Sequence, residues 1–146
     1  MPRTVLALLI VNLAMTLCPV ASQADGALAV GLPAGNPRNG FSYGMTVDRG
    51  ADEAASKALT DCKGVDVRDT SKARAACKVI DRFHDECANI SLNGDRNTVS
   101  TAVGWGFGPD RETANKRAQT MCEMMRGGNG RPCHLDGDEL CDGSAK

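Results

Sequence analysis

Large apolar side chains are scarce in this sequence. Its 146 residues include five aromatics, Phe41, Tyr43, Phe83, Trp105 and Phe107, and much of the other apolar content is alanine. Alanine removes little surface from water, so the hydrophobic drive to fold is thin. An excess of one charge is lacking too, since 17 basic residues face 18 acidic ones. That balance gives no electrostatic footprint for nucleic acid or an anionic membrane. Histidine occurs twice, as His84 and His134, which leaves few residues for proton transfer near neutral pH.

What is present begins with a leader. Arg3 gives a positive start, and "VLALLIVNLAMTL", residues 5–17, is apolar but short for a bilayer span. Ser22 and Ala24 supply the small residues that signal peptidase accepts. Cys18 follows Leu17 rather than a small residue, which argues against lipidation. The expectation is a signal peptide over residues 1–24, then one domain over 25–146. The mature protein would be secreted or periplasmic, with no membrane contact after cleavage. No later apolar run is long enough to cross a membrane.

Six cysteines follow the leader: Cys62, Cys77, Cys87, Cys122, Cys133 and Cys141. An even count in an exported chain reads as a disulfide framework. Each bridge contributes about 2–4 kcal/mol by restricting the unfolded chain, which offsets a thin core.

A displacement of sixty residues lays "ADEAASKALTDC" on "RETANKRAQTMC", aligning Ala54 with Ala114, Ala58 with Ala118, Thr60 with Thr120 and Cys62 with Cys122. Gly44 then meets Gly104, and each helix-end cysteine is followed by two more. The pattern predicts an internal repeat, about 26–87 and 88–141. Ala51, Ala54, Ala55, Ala58, Leu59 and Cys62 share one helical face, as do Ala114, Ala118, Met121, Cys122 and Met125. Asp110 is a good N-cap, Gly50 a weaker one, and "RGGNGRP" stops the second helix. Strands are expected at 27–32, 41–47, 77–83, 87–92, 98–107 and briefly around Cys133, with Asn93-Gly94 as a hairpin turn. The predicted fold class is α+β. Two related strand-strand-helix-strand units would form an antiparallel sheet with helices packed on it, stapled by disulfides.

"GWGFG", residues 104–108, invites comparison with phosphate-binding loops. The dinucleotide fingerprint needs G-x-G-x-x-G among parallel strands, with an acidic residue about twenty positions on. Here the spacing is G-x-G-x-G in a hairpin neighbourhood. The glycines are expected to let the strand bulge while Trp105 and Phe107 pack on one face.

The run "A..AL..C", the strand "CANIS" and the pattern "GWGFG.....A...A...C" with two late cysteines resemble the bacterial exported domain of unknown function 4189. The likeness covers residues 26–141. It implies small secreted or periplasmic proteins with no established activity.

Six cysteines allow fifteen pairings. Repeat symmetry favours Cys62–Cys77 and Cys122–Cys133, leaving Cys87 with Cys141. Full bridging would remove cysteine catalysis, and a four-thiolate zinc site is disfavoured because no C-x-x-C pair occurs.

Other chemistry is thin. His84 lies in "RFHDEC" beside Asp85 and Glu86, and reads as a surface strand-end residue that Asp85 need not orient. No serine sits in a nucleophile elbow. Asp136, Asp138, Glu139 and Asp142 gather near the end but break the EF-hand order at Leu140, and read as a solvated acidic turn. Met121, Met124 and Met125 beside Cys122, with His134, could suit copper, but core packing is the stronger reading.

The sequence therefore points to a non-catalytic binding or interaction protein outside the cytoplasm, with no catalytic residue, cofactor or metal. Its partner would be a protein or envelope component, met through loops 63–76 and 31–40. Oligomeric state is not legible. The alternative is a small envelope-acting hydrolase using His84 and a carboxylate.

Overall fold

Residue size alternates along the strands. In β1 (Asp25–Gly31) Ala27, Ala29 and Gly31 alternate with Leu28 and Val30, and in β2 (Ser42–Asp48) Ser42, Gly44 and Thr46 alternate with Tyr43 and Met45. Successive side chains point to opposite faces, so each strand has a small face and a large face. The computed structural model describes residues 25–48, 50–64, 71–94, 99–137 and 139–146, and shows what each face meets. The expected signal peptide lies outside the described residues.

After β2 come α1 (Ala51–Gly64), a short α2 (Ser71–Ala75) and β3 (Cys77–Phe83). Then follow β4 (Cys87–Leu92), β5 (Val103–Gly108), α3 (Arg111–Arg126), β6 (His134–Leu135) and β7 (Leu140–Cys141). The strands form two antiparallel sheets, one ordered β2-β1-β3 and the other β5-β4-β6 with β7 also paired to β4.

The small faces take the helices. Ala27 and Ala29 pack against Ala54, Ala55, Ala58 and Cys62 of α1. On the second sheet α3 lies over the glycines of β5, and buried Asn89 of β4 donates to Asn115 of α3 at 2.7 Å. The large faces meet each other. Leu28 and Val30 pack with Ile90, Leu92 and Val103, and Phe41, Tyr43, Trp105 and Phe107 join them. Phe83 completes the set through its ring contact with Phe107, with centroids 5.6 Å apart. All five aromatics therefore contribute to one layer between the sheets, where each covers the most apolar area. The layer order is helix, sheet, sheet, helix.

Three bridges tie this together: Cys62–Cys77, Cys122–Cys133 and Cys87–Cys141. The first two fasten α1 and α3 to the chain that follows each of them.

Three local expectations change. The glycines of β5 do not form a bulge; its register with β4 is unbroken from Cys87↔Gly108 to Leu92↔Val103. They serve close approach instead, since a Cβ at Gly104 would come within 2.3 Å of the Ala118 carbonyl oxygen. Trp105 and Phe107 do share the inter-sheet face. The β4–β5 connection is not a tight turn at Asn93-Gly94. Asn93 is a clasp across the base of a longer loop: its Oδ1 accepts from the Thr101 and Ala102 amides at 2.8 and 2.9 Å, and its Nδ2 donates to Thr101 Oγ1 at 2.8 Å. Accordingly β5 starts at Val103; residue 98 is outside the described residues, and 99–102 are not strand. Finally, Met125 is not core. It is 38 % exposed, and its sulfur, with that of Met121, receives the outward amides of Val103 and Trp105 on the free edge of β5.

Helix α3 is capped at both ends. Asp110 accepts from the Thr113 amide at 2.8 Å, and Gly127 ends the helix in the left-handed region with φ 61°. The Asp110 carboxyl is held below the ordinary carboxylate range by that amide and the Thr113 hydroxyl.

Candidate functional site

Two ladder registers converge on one corner of the molecule. Gly26 pairs with Phe83, which sets Asp25 beside His84 just past the end of β3. Cys87 pairs with Cys141, so Asp142 arrives opposite Glu86, and its amide donates to the Glu86 carbonyl at 2.9 Å. Asp85 turns the chain between them with a left-handed φ of 52°. Three segments remote in sequence thus bring carboxylates around one imidazole.

The distances are short. His84 Nδ1 lies 3.2 Å from Asp25 Oδ1 and 3.2 Å from Asp142 Oδ2, while Nε2 lies 3.5 Å from Asp85 Oδ2. The His84 side chain is 39 % exposed and Asp142 is fully buried. Asp142 Oδ2 also accepts from the Asp85 amide at 3.3 Å. Asp85 Oδ1 receives the Ser144 amide at 2.9 Å and its hydroxyl at 3.3 Å. The Ser144 amide, and secondly the neighbouring His84, hold the Asp85 carboxyl below its usual range.

His84 is an exposed residue just past the end of β3, as expected, but it is surrounded by carboxylates, and the described late carboxylates Asp136, Glu139 and Asp142 are not a solvated turn. Asp136 accepts from the Tyr43 hydroxyl at 3.0 Å, Glu139 pairs with Arg111, and Asp142 is internal. Asp138 lies outside the described residues. The sequence offered one clue to the cluster. A bridge between Cys87 and Cys141 puts the residue after Cys141 beside the residues before Cys87, and those are His84, Asp85 and Glu86.

The copper grouping resolves differently. Cys122 is bridged, the Met121 and Met125 sulfurs face the β5 edge, and Met124 is 72 % exposed. A shallow, open depression runs along the outer face of α3, lined by Glu112, Lys116, Arg117, Thr120 and Met121 among others. It includes no member of the His84 cluster. Of the loops expected to carry contacts, 31–40 holds two single 3-10 turns, Pro33–Gly35 and Pro37–Asn39, and 63–76 contains α2, with 65–70 outside the described residues.

The pattern described as Domain of unknown function (DUF4189) matches residues 25–138. The chain belongs to this family. No curated protein and no solved structure matches it. The DUF4189 match takes in both sheets up to β6 and includes Asp25 and His84; it stops before Cys141 and Asp142.

Chemically, the corner is suited to holding positive charge. Three carboxylates surround one imidazole, and both ring nitrogens face an acid. A general base needs one nitrogen directed at a nucleophile or substrate. Ser144, the hydroxyl at this corner, bonds to Asp85.

Proposed function

We propose that this DUF4189 protein is a small binding module that works outside the cytoplasm, exported by residues 1–24 and locked by its disulfides on arrival, in the periplasm or beyond the cell. The observation that carries the non-catalytic reading is the engagement of His84 by carboxylates at both nitrogens. The hydrolase alternative has its imidazole and its acid in contact, but no hydroxyl placed on the imidazole among the described residues.

Export is supported by three bridges, because oxidising compartments are where such bridges form and persist. Among the described residues no helix is long and apolar enough to cross a membrane. Descent of the halves 26–87 and 88–141 from one unit is supported by the matching approaches of Gly44 to Ala58 and Gly104 to Ala118. The partner is a protein or envelope component rather than nucleic acid, met through loops 31–40 and 63–76. Loops carried on a scaffold fixed by disulfides are where contacts of this kind are commonly made.

Mass spectrometry of the chain recovered from periplasmic and culture fractions tests the reading. An N-terminus at Asp25 and three bridges are expected. A full-length chain kept in the cytoplasm with all seven cysteines as free thiols would end it.

A further inference from the structure

Ion pairing alone leaves the His84 corner incomplete. Two carboxylate oxygens, from Asp25 and Asp142, converge on one ring nitrogen at 3.2 Å each. That nitrogen carries at most one proton and cannot direct it well at both. The other oxygen of Asp142, Oδ1, is buried with no hydrogen-bond partner among the described residues. A buried carboxylate left partly unsatisfied is costly. An ion bound at Oδ2 is within reach of Oδ1, because both oxygens share a carbon.

We propose that Asp25, His84 and Asp142 form a binding site for a divalent transition metal ion, zinc above all. Their ligand atoms all lie within 4.8 Å of one another. Donors about 2.0 Å from a tetrahedral ion stand roughly 3.3 Å apart, close to the two 3.2 Å separations seen here. One imidazole with two carboxylates suits zinc better than calcium, which takes six to eight oxygens, or copper(I), which selects sulfur.

The surroundings of the imidazole agree. A metal-ligating histidine commonly donates its other N–H to a carboxylate, which fixes the ring and its tautomer. Asp85 Oδ2 faces Nε2, and Asp85 is itself held by Ser144. With Nε2 facing Asp85, Nδ1 is the nitrogen turned toward Asp25 and Asp142. Asp85 is thus a positioning residue. Zinc held by three protein ligands takes its fourth from water or from a ligand atom of a partner. The bound ion would join the start of β1, the β3–β4 turn and the C-terminal segment. Zinc at this corner would replace the ion pairing on which the non-catalytic reading rests, whereas export and the three bridges do not depend on it.

The test uses the oxidised exported protein, stripped of metal and titrated with zinc chloride by calorimetry. The two histidine rings are followed by NMR and assigned with a His134→Gln variant. One zinc per chain is expected, with the His84 ring resonances shifting and those of His134 unmoved. His84→Gln and Asp25→Asn should each weaken zinc binding at least tenfold. Asp85→Asn should weaken it to a smaller degree while leaving one site per chain. The wild-type titration needs no variant to fold. Absence of saturable zinc binding, shifts centred on His134, unchanged affinity in His84→Gln, or a site that takes calcium but not zinc would each overturn the assignment.

Discussion

The backbone of Gly104 runs so close to Ala118 that a Cβ added there would stand 2.3 Å from the Ala118 carbonyl oxygen and 2.4 Å from the Cys122 amide nitrogen. Gly44 stands in the same relation to Ala58 and Cys62, at 2.1 and 2.5 Å. Both helices sit on their sheets at a separation that only a bare strand allows. Gly104→Ala should therefore destabilise the fold by about 1–3 kcal/mol or more through overpacking. Gly50→Ala, with nothing within 4 Å of the new methyl group, should cost less, limited to the poorer N-cap that alanine makes for α1. Urea midpoints of the two variants make the comparison.

Asn93 holds the base of the β4–β5 loop with three hydrogen bonds from one buried side chain. Asn93→Ala removes them and leaves two amides seeking acceptors, at a cost of roughly 2 kcal/mol. Asn93→Asp keeps an oxygen for the two amides and loses only the donor, so it should retain part of the stability. Chemical denaturation should rank wild type above Asp, and Asp above Ala.

The three bridges close loops of unequal length. Cys87–Cys141 spans 54 residues and Cys122–Cys133 spans 11. In the chain-entropy account, removing the longer closure costs about 4 kcal/mol and the shorter about 3. Paired Cys→Ser variants should melt in that order, with Cys87/Cys141 the less stable. The reverse order would mean that native packing around the helix-end bridge outweighs loop entropy.

Acid should unfold the protein through its tied carboxylates. The Cys133 amide, then Arg126, hold Glu123 below the ordinary range; Asp110 is lowered by Thr113, and Glu139 by its own amide and then by Arg111. A carboxyl whose folded value is depressed adds stability above its unfolded value, near 4. That stability is lost as pH falls through the lower folded value. Melting temperature should thus hold from neutral pH to about 5 and drop below about 4. Glu123→Gln should flatten part of that drop, read by thermal melts across the acid range.

Helices, most strands and the cysteine-bearing helix ends were legible because each depends on local pattern. Alanines at helical spacing mark α1 and α3, Asp110 and Gly127 mark the ends of α3, and the size alternation in "VGWGFG" marks β5. The free edge of β5 was not legible, because Met121 and Met125 look like core residues on a helical wheel. Nor was the His84 cluster. It depends on two registers, Gly26 with Phe83 and Cys87 with Cys141, and a register joins segments that no local pattern connects. Asp142 in particular shows only the polarity of its own segment, while its burial comes from the strands around it.

The thioethers of Met121 and Met125 stand where another chain's carbonyls would dock along β5. To recruit a foreign strand there, the protein would first have to pull these side chains off its flank. The edge amides of Val103 and Trp105 are thus occupied from within the chain, as edge strands are commonly protected against pairing with a second copy.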